Sequence, residues 1–170
     1  NEKTKSGIHV YNSDNVAIEG VTIQNCGNAA LIVNGSKVTA TGLKTSGNAW
    51  GAVNVDDNTG DDTAETSFVL DETSVLEEGS KIWTELPANE EHPVITVPDS
   101  WEGVGMVSED GKTYYAEKAL ITIGETPYAT LRDAALAAKA GDTITLNGDV
   151  TVTNKGLADW ADNRAVVTLP

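Results

Sequence analysis

The stretch Asn12-Ser13-Asp14-Asn15-Val16-Ala17-Ile18-Glu19-Gly20-Val21 lies over Asn34-Gly35-Ser36-Lys37-Val38-Thr39-Ala40-Thr41-Gly42-Leu43 at a spacing of 22 residues. In both copies a turn of small and polar residues leads into an alternating apolar run, and a glycine precedes the next apolar residue. Self-similarity at such a period marks a repeat architecture, in which no single unit buries its apolar side alone. The same spacing carries Ile8 and Val10 onto Ala30 and Ile32. Gly51-Ala52-Val53-Asn54-Val55 opens a third copy, where Gly27-Asn28-Ala29 returns, slightly out of step, as Gly47-Asn48-Ala49.

Within each copy Val16 and Ile18, then Val21 and Ile23, alternate with polar residues, so the burial period is two and the elements are short strands joined by bends. Similar strands stacked in parallel pair each backbone group with the copy above and below. Asn12 and Asn34 occupy equivalent turn positions and are expected to stack as a side-chain amide ladder.

The run from Gly7-Ile8-His9-Val10-Tyr11-Asn12 through Trp50-Gly51-Ala52-Val53-Asn54-Val55-Asp56 resembles the pectate-lyase-like right-handed parallel β-helix superfamily. The resemblance implies a mostly β fold: right-handed parallel β-helix (solenoid) coils, with one short capping α-helix and additional β-strands. That scaffold hosts lyases, hydrolases, phage tailspikes and adhesins alike, so it implies a fold without implying an activity.

Three segments are expected: coils over 1–79, a β-rich connecting segment over 80–123, and a capping helix with the start of further strands over 124–170. From Asp71 to Pro98 the repeat loosens into acidic, proline-bearing sequence. Strands are then predicted at Val94–Val97, at Lys112–Ala116 after the Asp110-Gly111 turn pair, and at Ala119–Ile123. The spacing predicts a helix over 130–141, with Leu131, Ala134, Ala135 and Ala138 on its apolar face. Thr130 is placed to accept the Asp133 backbone N–H, and Gly141 to supply the left-handed stop. Strands resume at Thr143–Leu146 and Val150–Val152. The run 123–146 resembles the helix-plus-strand segment that opens and caps β-helix modules in large bacterial surface proteins. The likeness implies a helix covering the open end of the stack and hiding strand edges that would template aggregation.

Lys and Arg total 11 against 26 Asp and Glu, a formal charge of −15, so the averaged field repels nucleic acid and anionic membranes. No apolar run is long enough to insert in a bilayer. Cys26 is the single cysteine, which excludes an intrachain disulfide, a zinc cluster and a CxxC redox pair. It closes a strand-like run with no flanking His or Lys/Arg cluster and is read as a packed thiol. The chain begins at Asn1 and ends at Pro170 after a strand-like Val166-Val167-Thr168-Leu169, and is expected to be a segment of a longer protein.

Candidate chemistry centres on Asp56-Asp57-Asn58-Thr59-Gly60-Asp61-Asp62, where carboxylates and an amide crowd around a glycine as hard-cation loops require. Asp56, Asn58 and Asp62 are the ligands this reading names. An EF-hand is excluded, because Ser67 stands where the bidentate glutamate belongs. The cofactor expectation is none, with calcium as the alternative and an ordinary acidic turn as the plainer reading. Polysaccharide lyases of the superfamily need a basic residue to remove a proton, but Arg132 and Arg164 lie outside the coils, and Lys37 and Lys44 read as solvated charge. Glycosidases need carboxylates at a set separation; Asp56 with Asp57 is the nearest pair, without the Gly-His-Gly or Arg-x-Lys segments. His9 lies inside a strand-like run and is read as a packed or solvent-facing ring.

Trp50, Trp83, Trp101 and Trp160 read mainly as packing, with Trp50 the best placed to offer a flat face for a sugar beside the acidic turn. The binding residues named are Trp50, Asn54, Asp56 and Asp57. The expectation is a non-enzymatic stalk or adhesive segment, located extracellularly or in the cell wall of a bacterium. Its expected partners are cell-surface or extracellular glycans or a host protein, with end-to-end self-association through an unpaired coil edge. The alternatives are part of a carbohydrate-active β-helix enzyme and a calcium-stabilised spacer.

Overall fold

Alternation of period two becomes short strands whose apolar residues point one way. In β2 (Val16–Glu19) Ile18 is buried while Ala17 and Glu19 are exposed. A computed structural model describes residues 5–57, 65–77, 80–85 and 93–150, and over these the chain is mostly β with one short helix. The first pass is β1 (Ile8–Tyr11), β2 and β3 (Thr22–Gln24); the second is β4 (Leu31–Asn34), β5 (Lys37–Thr41) and β6 (Lys44–Ser46). The third is β7 (Val53–Asp56), β8 (Ser67–Leu70) and β9 (Val75–Leu76), followed by β10 (Ile82–Thr84) and β11 (Val94–Thr96).

Successive passes add one strand to each of three sheets. β1-β4-β7-β10 pair in parallel in the first, β2-β5-β8-β11 in the second and β3-β6-β9 in the third. Parallel pairing therefore runs on past residue 79. One apolar cluster draws on all three sheets, with Val33, Val53 and Ile82 from the first, Val38 and Phe68 from the second, and Ile23 and Leu76 from the third. Phe68 is fully buried, and burial of a side chain that size contributes up to about 3 kcal/mol.

The registers correct the sequence spacing in three places. β1 and β4 are offset by 23 residues, since Ile8 pairs with Leu31 and Val10 with Val33. Leu31 and Val33 are fully buried while Ile32 faces outward. A 22-residue step would have set the inward Val10 against an outward position. The extra residue sits in the turn 12–15, against 35–36 in the next pass. Consequently Asn34 pairs with Tyr11, and no amide ladder forms with Asn12. The corner is laced instead by hydroxyls: Ser36 Oγ accepts the Ser13 N–H at 3.0 Å and donates to the Asn34 carbonyl at 2.8 Å. Asn12 turns the chain at φ 45°, a left-handed conformation that asparagine tolerates better than most residues. In the turn before β7, Asn48 stands over Cys26, whose N–H donates to Asn48 Oδ1 at 3.0 Å. The Gly-Asn-Ala echo is thus a likeness of composition and not of position.

The third correction concerns pass length. Val38 pairs with Phe68, a step of 30, because residues 57–66 join β7 to β8 where 35–36 join β4 to β5. The acidic segment is an insertion at one corner of the repeat.

The remaining strands are antiparallel. β12 (Gly103–Val107) and β13 (Thr113–Ala116) form a hairpin, and β13 takes the free edge of β10, pairing Ile82 with Tyr115 and Trp83 with Tyr114. β14 (Ile121–Ile123), β15 (Thr126–Pro127) and β16 (Ile144–Leu146) form a small separate sheet beside α1 (Leu131–Ala137). The edge of the first sheet is thus covered by the hairpin and not by the helix. A hairpin satisfies the β10 backbone groups directly, which a helix cannot do.

Thr130 caps α1 as expected, accepting the Asp133 N–H at 3.1 Å. The helix is shorter than the spacing predicts, because Ala138 is already extended. Asp142 accepts the Lys139 N–H at 2.8 Å, and this local turn competes with further helix. Of the expected apolar face, Ala134 is buried and Leu131, Ala135 and Ala138 are half-buried. The buried Asp133 carboxylate joins helix to hairpin by accepting from Ser108 Oγ at 2.8 Å and Glu109 N at 2.9 Å. The strand predicted at Val150–Val152 lies largely outside the described residues.

Candidate functional site: the outer face of the first sheet

Alternation that turns Ile8, Leu31, Val53 and Ile82 towards the core turns their neighbours outward. Register then aligns His9, Ile32, Asn54, Trp83 and Tyr114 in one row across the sheet, and Tyr11, Asn34 and Asp56 in the next. Three of the named binding residues meet on or beside this face. Asn54 and Asp56 share β7, and Trp50 lies just before it. Trp50 is 50% exposed, and its carbonyl accepts Trp83 Nε1–H at 3.0 Å. Asp57 follows at the corner, where its carboxylate accepts the Thr66 hydroxyl at 3.2 Å. Asn58 and Asp62 lie outside the described residues.

Asp56 is heavily engaged. One carboxylate oxygen accepts Asn54 Nδ2–H at 2.7 Å, and the other accepts Thr84 Oγ1–H at 3.1 Å and the Glu85 N–H at 2.8 Å. Asn54 is only 6% exposed, its amide spent on Asp56 and, at 3.5 Å, on the Trp83 carbonyl. These two residues therefore fasten β10 to β7. A cation at Asp56 would have to share lone pairs already directed at three donors. Among the described residues no group of three or more His, Cys, Asp or Glu is arranged to hold a metal ion.

The aromatic side chains are more available. Lys112 Nζ lies 4.8 Å from the centre of the Trp83 ring, and Lys81 Nζ 5.0 Å from that of Tyr114, two cation–π contacts on cross-strand partners. Burial pushes the Lys81 ammonium below its ordinary range, with Asp133 and Asp110 opposing. Burial first, then Asp110, pushes the Tyr114 hydroxyl well above its ordinary range. At the other end of the face Tyr11 is 51% exposed, and its ring meets the exposed His9 ring edge-on at 6.1 Å. Trp101 packs on the main core, and Trp160 lies outside the described residues.

Sequence reading missed Tyr11, His9 and Asn34 as parts of this face. Alternation already placed His9 and Tyr11 opposite Ile8 and Val10; bringing Asn34 beside them required the 23-residue offset. A second, open trough of about 330 Å³ crosses the third sheet between Gln24, Ser46 and Glu77. There Gln24 donates to Ser46 Oγ at 2.7 Å, and Glu77 accepts the Gly47 N–H. Among the described residues no helix is long and apolar enough to cross a membrane. No family model, curated protein or solved structure matches this chain.

Proposed function

We propose that the chain is a parallel β-helix segment of the pectate-lyase-like kind, from a secreted or cell-wall-attached bacterial surface protein. In this reading it acts as a non-enzymatic stalk and an adhesive, glycan-contacting module. The architectural half draws support from the passage of the chain through three sheets in turn and from the single core those sheets share. Strands hydrogen-bonded on both sides resist bending, which suits a stalk.

The observation that carries the adhesive half is the flat outer face of the first sheet, with Trp50 half-exposed beside Trp83 at one end and Tyr11 with His9 at the other. Aromatic faces next to amides contact the C–H faces and hydroxyls of sugars. The test is a glycan-array screen with and without calcium, followed by incubation of each hit to look for cleavage. Binding without cleavage, weakened in Trp50→Ala, is the expected result. Cleavage would move the chain to the carbohydrate-active enzymes, and an array with no hits would remove the adhesive half.

A further inference from the structure

We propose that Asn147 is a site of spontaneous covalent conversion to aspartate and isoaspartate, and that the fold protects Asn34 from the same reaction. The sequence holds two Asn-Gly pairs, Asn34-Gly35 and Asn147-Gly148. In such a pair the glycine nitrogen can attack the asparagine Cγ, because no Cβ on the following residue crowds the approach. The N–Cγ bond forms, the Cγ–Nδ2 bond breaks, and ammonia leaves with the proton that the glycine nitrogen gives up. Water then opens the five-membered imide at either carbonyl, its hydroxyl going to carbon and its proton to nitrogen. One opening leaves aspartate; the other leaves isoaspartate, with an extra methylene in the main chain.

At the first pair the nucleophile and the amide are both tied down. Gly35 N–H donates to the Asp56 carbonyl at 3.2 Å, so attack on Asn34 would strip a bond from the next pass. Asn34 closes β4 between Tyr11 and Asp56 of the neighbouring strands, and its carbonyl accepts the Ser36 hydroxyl at 2.8 Å. Its Nδ2 lies 3.3 Å from His9 Nε2, and its Oδ1 is shielded from the water that would stabilise the charge developing there during attack.

The second pair lies just past β16, with Asn147 and Gly148 both exposed. Asn147 N–H donates to the Leu120 carbonyl at 2.8 Å and Nδ2 to the Ala119 carbonyl at 2.8 Å. Pairing stops there: among the described residues Gly148 N–H has no acceptor, so the nucleophile can lose its proton to a base in solvent. Attack has only the Nδ2 bond to break, at an exposed position where water replaces it. The product differs where it matters for the small sheet. A carboxylate cannot donate to the Ala119 carbonyl, and isoaspartate lengthens the main chain where Asn147 pairs with Leu120.

The experiment keeps the full chain in warm, mildly alkaline buffer made with heavy-oxygen water, folded in one sample and unfolded by urea in another. Peptides containing Asn34 and Asn147 are followed by mass and by isoaspartate content, and circular dichroism establishes that the first sample stays folded. In the folded chain Asn147 is expected to convert at least about tenfold faster than Asn34, the factor that breaking one buried hydrogen bond adds to a barrier. In urea the two rates are expected to converge. Equal rates in the folded chain, faster conversion at Asn34, or an Asn147 peptide that stays intact would overturn the proposal. A preference for Asn147 that persists undiminished in urea would overturn it too, since local sequence and not the fold would then set the rates.

Discussion

The Asp56 carboxylate on β7 accepts the Thr84 hydroxyl on β10 at 3.1 Å, so a residue read from sequence as a cation ligand serves as a clasp between neighbouring passes. The same carboxylate holds Asn54 Nδ2 and the Glu85 N–H. Asp56→Ala leaves these donors without their acceptor, and stability is expected to fall by about 2 kcal/mol. Urea unfolding measures the loss, and hydrogen exchange should quicken in Ile82–Thr84 before it does in Leu31–Asn34. An unchanged urea midpoint would argue against the clasp.

Thr45 presents the opposite case. It lies in the inward row between Ile23 and Leu76, is 5% exposed, and its hydroxyl has no partner among the described residues. Thr45→Val keeps the shape and removes the stranded hydroxyl, so stability is expected to rise by about 1 kcal/mol. A drop in the thermal midpoint would mean that the hydroxyl has a partner after all.

Asp71 makes acid stability depend on one turn. Its carboxyl is held down to about 2, first by the Thr73 hydroxyl and also by Ser74 and the Gly42 N–H, against the opposing effect of burial. A depressed carboxylate binds fewer protons folded than unfolded. Its stabilisation is therefore fully present above the ordinary carboxylate range near 4 and is lost as pH falls towards about 2. Thermal midpoints of Asp71→Asn should fall less steeply than those of the unmodified chain across this window. Parallel pH curves would contradict the assignment.

Lys81 acts in the other direction. Its side chain is half-buried just ahead of β10, the ammonium donating to the carbonyl of Ala129 just ahead of the helix, and burial lowers its titration below the free value of 10.5. The folded chain thus binds fewer protons than the unfolded chain between the depressed value and 10.5, and this residue's contribution to stability rises with pH across that interval. Lys81→Met removes the charge that burial disfavours while keeping most of the apolar stem, so the alkaline rise should disappear. If the variant retains the same alkaline slope, another group is responsible.

Local order was legible where residues a few positions apart determine it. Ile8/Val10, Val16/Ile18 and Val53/Val55 announce strands by alternation, Thr130 with Asp133 announces a helix start, and Asp110-Gly111 announces a hairpin. The candidate site was legible in part. Trp50, Asn54 and Asp56 do gather on one face, but the commitment of Asp56 and Asn54 to Thr84 and Trp83 depends on partners 28 and 29 residues away. The helix ends at Ala137, ahead of the stop expected at Gly141, and beyond it the Lys139 N–H turns to Asp142, a side chain in the following turn.

By itself the sequence determined that this chain makes short alternating strands turned at Asn, Gly and Ser, with a cluster of carboxylates at Asp56–Asp62. Those properties follow from steric preference and from alternation along a few residues. Only the tertiary structure decided the 23-residue first step, the bond from the Ser13 N–H to the Ser36 hydroxyl, and the closure of β10 by a hairpin. In each case several spacings or covers are compatible with the local pattern. The choice falls to whichever buries Val10, Val33 and Val55 on one side while leaving no backbone edge of β10 unpaired.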